Sequence, residues 1–308
     1  MNKRIITVTL NPCLDKSIEI NGFEYGGLNR VTSENLSVGG KGINCAAVLN
    51  SIGCPVLACG ITAGDMAQKY LDSIGIPYGF IVSKGKLRTN YKIINTDDNI
   101  TTEINEPGFA VSGSDVQKFM SLFDLAADDA CAVIISGSTP TGIDNDIYFR
   151  LTKMAQDKNV PVILDADGKK MAEGIKANPY CVKPNLYEME QLFEQTLDTE
   201  DKKTDAVKTL IKNGIKLVIL SLGGKGAIVG DEEQILRVYA PDVKCISTVG
   251  AGDSMAAAAA YCIAHGADLH TVAKTAVCAG SLTVQTIGLC NGLEALRQYT
   301  EIKTEKIV

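Results

Sequence analysis

Short apolar, β-branched runs alternate with amphipathic segments of helical periodicity along most of the 308 residues. Such runs are typical of strands buried on both faces, and the intervening helices allow the strands to run parallel. We therefore predict a mainly parallel sheet with helices on both faces. The predicted strands are Ile5–Leu10, Pro55–Cys59, Ala132–Ser136, Pro161–Asp165, Tyr180–Lys183 and Leu217–Ser221, and the predicted helices are Ile43–Ile52, Asp115–Asp124, Ile143–Lys158, Glu188–Glu194 and Thr204–Asn213.

Two segments, at about 16–36 and 88–107, depart from this pattern because apolar and polar residues alternate in them. A period of two predicts half-exposed, antiparallel hairpins. We interpret the two hairpins as a small β-sheet beside the main sheet, which we call the lid. The alternative is that they extend an edge of the main sheet.

Several potential ligand groups follow the predicted strands at their carboxyl ends. Ligands of doubly wound sheets bind at this edge. The sequence therefore predicts one continuous active-site rim, which includes Asn11, Gly60, Gly137, Asp165, Asn185 and Gly223.

Gly250-Ala251-Gly252-Asp253 precedes an alanine-rich stretch of high helix propensity. Glycines at a helix entry leave backbone N–H groups open to a close approach, and the helix dipole adds positive potential there. A carboxylate beside such an anion site suits a base that takes the proton of an attacking hydroxyl during phosphoryl transfer. The alternative is a glycine turn in which Asp253 only caps the helix.

A second glycine-rich helix entry, GGKGIN, contains Gly39, Gly40, Lys41 and Asn44. No Ser or Thr follows a Gly-Lys pair, which excludes a P-loop, and no GxGxxG follows a strand, which disfavours a dinucleotide site. Glycine backbone and the Asn44 amide can bind sugar hydroxyls. The alternative is a tight turn with a solvated Lys41.

Two further turns follow predicted strands. Asn185 and Glu188 are three residues apart at a helix start, where their oxygens could organise Mg²⁺ or form a capping box; the two functions are compatible. In SLGGKGA at 221–227, three glycines would let the backbone approach a flat or phosphorylated ligand, or simply form a hairpin turn.

The net charge is −6, without a basic tract, so we expect neither nucleic acid nor an anionic membrane as partner. The first apolar run is too short for a signal peptide and no apolar run reaches about 18 residues, which predicts a cytoplasmic protein. The ten cysteines are scattered singly without a CxxC pair. This pattern is typical of reduced structural thiols.

Five collinear motifs together resemble the PfkB (ribokinase-like) carbohydrate kinases: Asn11-Pro12 with Asp15, GGKGIN at 39–44, KPNxxE at 183–188, SLGGKGA at 221–227 and STVGAGDSM at 247–255. The resemblance spans almost the whole chain. It implies one kinase domain over 1–308, with a three-layer α/β/α core and a β-sheet lid. Ala256–Ala260 departs from the Val-Ala-Gly-Phe usual in relatives, although small residues there should preserve close helix packing.

Within the family, the chain is similar to the branch of 1-phosphofructokinases and tagatose-6-phosphate kinases. The residues that carry this similarity are Asp15, Asn29-Arg30, Arg88-Thr89-Asn90 and EINEPG at 103–108. The resemblance implies ATP-dependent phosphorylation of a ketohexose phosphate, with fructose 1-phosphate as the first candidate substrate because STVGAGDSM favours that activity. Tagatose 6-phosphate and fructose 6-phosphate are the alternatives, since moving the phosphate changes which hydroxyl faces Asp253.

The resemblance also implies roles for individual residues. Asp253 would be the base, and Gly250, Ala251 and Gly252 would form the anion hole. The substrate would be bound by Asp15, Gly39, Gly40, Lys41, Asn44, Arg88, Asn90, Ser138 and Arg30, with Arg88 first for its phosphate. ATP would be bound by Lys183, Asn185, Ser221, Gly223, Gly224, Gly226 and Gly252, and Mg²⁺ would be held by Asn185 and Glu188 through water.

A homodimer through the lids is expected, because lid hairpins expose strand edges and apolar faces. From another functional class, the chain could be a non-catalytic sugar-phosphate sensor. The presence of Asp253, Asn185 and Glu188 argues against a sensor, which needs neither a base nor a metal organiser.

Overall fold

The computed structural model describes residues 3–98, 100–286 and 288–307. Its strands are β1 (Arg4–Thr9), β2 (Cys13–Ile20), β3 (Val31–Gly39), β4 (Val56–Ala63), β5 (Tyr78–Ser83), β6 (Arg88–Asn95), β7 (Ile100–Asn105), β8 (Ala130–Ser136), β9 (Val162–Asp165), β10 (Cys181–Val182), β11 (Leu217–Ser221), β12 (Ala227–Gly230), β13 (Ile235–Val238) and β14 (Thr304–Lys306).

The helices alternate with the strands through most of the chain. They are α1 (Lys41–Ser51), α2 (Met66–Ser73), α3 (Gly113–Ala127), α4 (Ile147–Asp157), α5 (Gly168–Ile175), α6 (Leu186–Phe193), α7 (Glu200–Lys212), α8 (Ala251–Ala264), α9 (Leu269–Thr283) and α10 (Gly292–Gln298). No helix in the described part of the chain is long and apolar enough to cross a bilayer.

The main sheet has ten strands in the order β14-β13-β12-β11-β10-β9-β8-β1-β4-β5. Seven strands of this sheet pair in parallel, in the order β11-β10-β9-β8-β1-β4-β5, whereas β12, β13 and β14 continue the sheet antiparallel. The predicted mainly parallel sheet is confirmed. The antiparallel edge was not predicted, because runs of three or four residues are too short to show a period.

Helices cover both faces of this sheet and bury two apolar clusters. One cluster includes residues of α1, α8 and α9, and the other includes residues of α3, α4 and α7. Ala256–Ala260 are completely buried, and α8 packs closely on α1 and α9. The departure from the usual family residues therefore preserves close helix packing.

The lid is a separate four-stranded sheet of order β3-β2-β6-β7. Each hairpin, β2–β3 and β6–β7, is antiparallel, and the two hairpins join through the parallel pair β2–β6. The lid prediction is confirmed, and the alternative of an extended main sheet is wrong. The first hairpin covers 13–39 and is three residues longer at each end than predicted. The second covers 88–105 and ends two residues before the predicted bound.

One predicted rim residue lies elsewhere. Gly60 is buried inside β4, because that strand runs four residues beyond the predicted end at Cys59. The ten cysteines are free thiols, eight of them buried, as predicted.

Candidate active site

Helix α8 begins with a glycine in a conformation that other residues rarely adopt. Gly250 has a φ of 79°, and a Cβ at this position would lie 2.5 Å from Cδ2 of Leu289. The first regular helical bond runs from the Ser254 N–H to the Gly250 carbonyl at 2.8 Å. The N–H groups of Gly252 and Asp253 precede that bond and have no acceptor within the helix, so they can bind an anion.

Asp253 projects from this helix start into a buried, polar setting. It is only 6% exposed, and its Oδ2 accepts a hydrogen bond from Nδ2 of Asn44 at 2.7 Å. No side chain caps α8, so the interpretation of Asp253 as a simple helix cap is wrong. Burial raises the pKa of Asp253 to about 6, although the nearby Lys41 ammonium and the Asn44 bond lower it. The carboxylate is therefore ionised at neutral pH yet basic enough to accept a proton.

A network of charged side chains lies next to Asp253, in which Asp165 and Lys183 are buried and Lys41 is partly exposed. The Lys41 ammonium donates to Oδ1 of Asp165 at 3.0 Å and lies 3.9 Å from Oε1 of Glu188. Nζ of Lys183 lies 3.2 Å from the other Asp165 oxygen. Burial alone would raise the pKa of Asp165, but Lys183 and Lys41 hold it below the ordinary value. Burial alone would lower the pKa of Lys41, but Asp165, Glu188 and Asp253 raise it. Lys41 is therefore ion-paired within the site, although about a third of its side chain remains exposed (35%).

A cleft of about 410 Å³, which we call the lid cleft, opens between the lid and the core. Oδ1 of Asp15 accepts from Nδ2 of Asn90 at 3.0 Å, and the Arg88 guanidinium donates to the carbonyls of Asn11 and Glu106 at 3.4 and 3.3 Å. These bonds fix a carboxylate and a cation at the lid side of the cleft. The predicted substrate residues that line it are Asp15, Gly40, Lys41, Asn44, Arg88, Asn90 and Ser138, together with Asp253.

A second cleft, of about 450 Å³, lies on the other side of the α8 start, and we call it the helix cleft. Ser221, Gly223, Gly224 and Gly226 line one side, and Ala251 and Gly252 line the junction with the lid cleft. Apolar side chains, among them Met255, Val277 and Val284, form the rest. The predicted hairpin turn is present between β11 and β12, and its glycines face this cleft.

The remaining predicted residues do not line either cleft. Gly39 is the last residue of β3, directly before Gly40. Lys183 is buried, and its Nζ lies so close to Gly252 that a Cβ on Gly252 would be 3.3 Å from it. The predicted substrate residue Arg30 lies outside the lid cleft of its own chain, because Cys13 pairs with Gly39 at the cleft end of the hairpin and Ile20 pairs with Val31 at the far end. At about 3.3 Å per residue, Arg30 lies roughly 30 Å along the strand from Gly39.

Asn185 and Glu188 form the capping box that the sequence allowed. The Asn185 N–H donates to Oε2 of Glu188, and the Glu188 N–H donates to Oδ1 of Asn185, both at 2.8 Å. Oε1 of Glu188 has no part in the cap and faces Lys41. In the described part of the chain no three acidic, His or Cys side chains are grouped to hold a metal. A cation here would keep several waters, which suits Mg²⁺.

Sequence comparison identifies the family of this chain. Residues 8–296 match the family described as pfkB family carbohydrate kinase. The chain belongs to the pfkB family. A 1-phosphofructokinase of Borreliella burgdorferi is 32% identical over 307 residues, which cover 98% of this chain and 99% of that protein.

Solved structures described as phosphofructokinases share the fold of this chain. Phosphofructokinase-2 from Escherichia coli, in complex with fructose-6-phosphate, superposes with a TM-score of 0.89 at 27% identity, covering 97% of this chain and 99% of that one. A possible 1-phosphofructokinase from Thermotoga maritima superposes with a TM-score of 0.88 at 27% identity, covering 99% and 100%. The ribokinase-like fold prediction is confirmed.

Sequence reasoning missed part of the site of this pfkB kinase. Asp165 was predicted only as a rim residue, yet it pairs with both Lys41 and Lys183. The Asn11 side chain donates to the Pro107 carbonyl and to Oγ of Ser138, both at 3.2 Å, and so joins the lid to the core. A polar residue directly after an apolar strand was the available signal in both cases.

Proposed function

We propose that this pfkB kinase transfers the γ-phosphoryl group of ATP to fructose 1-phosphate and forms fructose 1,6-bisphosphate. The observation that carries the proposal is the place of Asp253, a buried carboxylate at the junction of the two clefts. One cleft offers hydroxyl-binding groups and an arginine, and the other offers glycine backbone and apolar walls. The 32% identical 1-phosphofructokinase supports the choice of fructose 1-phosphate.

In the proposed reaction, Asp253 takes the proton of the acceptor hydroxyl as that oxygen bonds to the γ-phosphorus and the bond to ADP breaks. A base with a pKa of about 6 is ionised at neutral pH and can release the proton after transfer. The N–H groups of Gly252 and Asp253 would receive charge that develops on the phosphoryl oxygens. The Lys183 ammonium, buried beneath Gly252, would add positive charge at the same place.

The substrate phosphate would bind at Arg88. Its guanidinium is held by two backbone carbonyls and reaches the lid cleft from the side opposite to the core, where a planar donor can grip a phosphate. Asp15, Gly40 and Asn44 would bind sugar hydroxyls. Lys41 already forms ion pairs with Asp165 and Glu188. We therefore assign it the role of neutralising negative charge around Asp253 and the transferred phosphoryl group.

Mg²⁺ would neutralise the triphosphate when it is bound. Burial raises the pKa of Glu188, so a cation that favours the ionised carboxylate would be well placed at its free oxygen. Glu188 would hold the ion through water, and Asn185 would fix the Glu188 backbone by the capping box.

A second candidate is phosphorylation of fructose 6-phosphate, because E. coli phosphofructokinase-2 with that sugar has the same fold over nearly the whole chain. ADP release should be measured with fructose 1-phosphate, fructose 6-phosphate, tagatose 6-phosphate and unphosphorylated sugars. We expect the highest kcat/KM with fructose 1-phosphate. A higher value with another ketohexose phosphate would overturn that choice, and no ADP release with any of them would favour the sensor.

A further inference from the structure

Arg237 is a buried arginine in β13 that no step of the proposed reaction uses. It is 7% exposed and lies in the main sheet, outside both clefts. Its guanidinium donates to three backbone carbonyls: Nη2 to Lys225 at 2.7 Å, and Nη1 to Ala227 at 3.0 Å and to Val238 at 2.8 Å. Hydrogen bonds from a charged donor are stronger than neutral ones, so the Arg237 side chain holds these three backbone segments firmly together.

Two of these carbonyls belong to the turn that lines the helix cleft. Gly223, Gly224 and Gly226 face that cleft, and the Leu222 N–H closes the turn on the Gly226 carbonyl at 2.8 Å. Gly226 has a φ of 91°, and a Cβ there would clash with the carbonyl oxygen of Val238, the last residue of β13. Arg237 therefore binds the turn on the side away from the helix cleft, where the backbone of β13 also lies close to the turn.

The acidic partner of Arg237 is a weak one. Oε2 of Glu200 lies 3.5 Å from Nε, but the Glu200 side chain is 55% exposed, and pairs of this kind contribute little. The ring of Tyr239 lies 4.8 Å from the guanidinium carbon and shields it. Burying a cation is costly unless it is hydrogen-bonded, so the three backbone carbonyls are the main partners that stabilise Arg237 in this position.

We propose that Arg237 is a positioning residue for the nucleoside triphosphate: it fixes the turn at 221–227 so that its glycines meet the nucleotide. The proposal rests on the assignment of the helix cleft to ATP. Without the guanidinium, the Lys225 and Ala227 carbonyls lose their donor and the turn samples other conformations. Binding then has to order the turn again, which weakens nucleotide affinity and leaves the lid cleft untouched.

The test compares Arg237→Met and Arg237→Lys with Glu200→Gln, which removes the exposed ion pair and keeps the carbonyl bonds. We expect Arg237→Met to raise both the KM and the calorimetric Kd for ATP about tenfold, with the KM for the sugar phosphate within about twofold. Lysine keeps the charge but cannot span the carbonyls, so Arg237→Lys should fall between. Glu200→Gln should match the wild type.

Amide hydrogen exchange without nucleotide gives a second readout. The Leu222 and Gly226 amides should exchange faster in both Arg237 variants, whereas amides of α8 should not change. Equal rises in both KM values, or unchanged ATP affinity in both variants, would overturn the proposal. If Arg237→Met does not fold, the same readouts on Arg237→Lys decide. A wild type that binds ATP but phosphorylates no sugar would contradict the proposed function. The calorimetric Kd for ATP and the amide exchange rates would still test the role of Arg237.

Discussion

Asn44 donates a hydrogen bond of 2.7 Å to the Asp253 carboxylate across 209 positions of sequence. The bond joins the first turn of α1 to the first turn of α8, so both glycine-rich helix entries meet at one carboxylate. Since a donor stabilises the ionised form, Asn44 counteracts the burial that raises the pKa of Asp253.

Asn44→Ala should therefore make Asp253 a weaker acid. Hydrogen bonds to charged groups contribute about 1.5–3 kcal/mol, so the acid limb of kcat/KM, near pH 6 in the wild type, should move up by about one pH unit or more. The pH–rate profile measures this directly. An acid limb that stays in place while kcat/KM falls uniformly would instead assign Asn44 to sugar binding alone.

Asp253→Asn removes the base and keeps the shape of the side chain. We expect kcat to fall by at least about 10², the lower range for loss of general-base catalysis. Calorimetric affinities for ATP and the sugar phosphate should change little, because the anion hole consists of backbone N–H groups. A kcat close to that of the wild type would show that Asp253 is not the general base.

The same substitution should stabilise the fold at alkaline pH. The pKa of Asp253 is about 6 in the folded protein against an ordinary value of 3.8, so the folded state holds the proton more tightly than the unfolded chain. Protonated Asp253 therefore makes its full contribution to the free energy of unfolding below about pH 4, and this contribution is lost as the pH rises through about 6. Asp253→Asn should raise the free energy of unfolding by about 1–3 kcal/mol at pH 8. Urea denaturation at pH 8 and pH 4.5 should show a smaller gain at the lower pH; an equal gain would contradict the argument.

How far the site follows from the sequence depends on the distance between the interacting residues. Asp253 and Gly250 could be predicted because a helix entry is a local feature. The role of Lys41 could not, since its partner Asp165 lies 124 positions away and is brought near only by the sheet order. The distance of Arg30 from its own cleft could not be predicted for a related reason: apolar alternation predicts a hairpin but not which end of it reaches the cleft. The order of the lid strands, with a parallel pair between two hairpins, likewise depends on tertiary packing.

Arg88→Ala tests how the substrate phosphate is bound. We expect the KM for the sugar phosphate to rise at least about tenfold, since a charged hydrogen-bonding partner is lost, while the KM for ATP stays within about twofold. Arg88→Lys keeps the charge without the planar fork and should recover only part of the loss. Equal losses for both substrates would argue against this role.

The face of the lid that points away from Asp15 predicts self-association. Leu36, Lys16, Tyr91 and Ile104 are consecutive register partners across the four strands, so they share one face. Leu36 and Ile104 are 54% and 53% exposed there, on the two edge strands. An apolar face with two open edges is usually covered, and we propose that a second copy of the lid covers it.

Light scattering at micromolar concentration should therefore give the mass of a dimer. Leu36→Asp should shift the protein to monomer, because a carboxylate on this face would have to be desolvated without a partner. Asn35→Asp is the matched control: Asn35 is the neighbouring residue on the same strand and pairs with Ser17 on the opposite face, so a carboxylate there should leave the dimer intact. A monomeric wild type, or a Leu36→Asp variant that remains dimeric, would show that the lids do not form the interface.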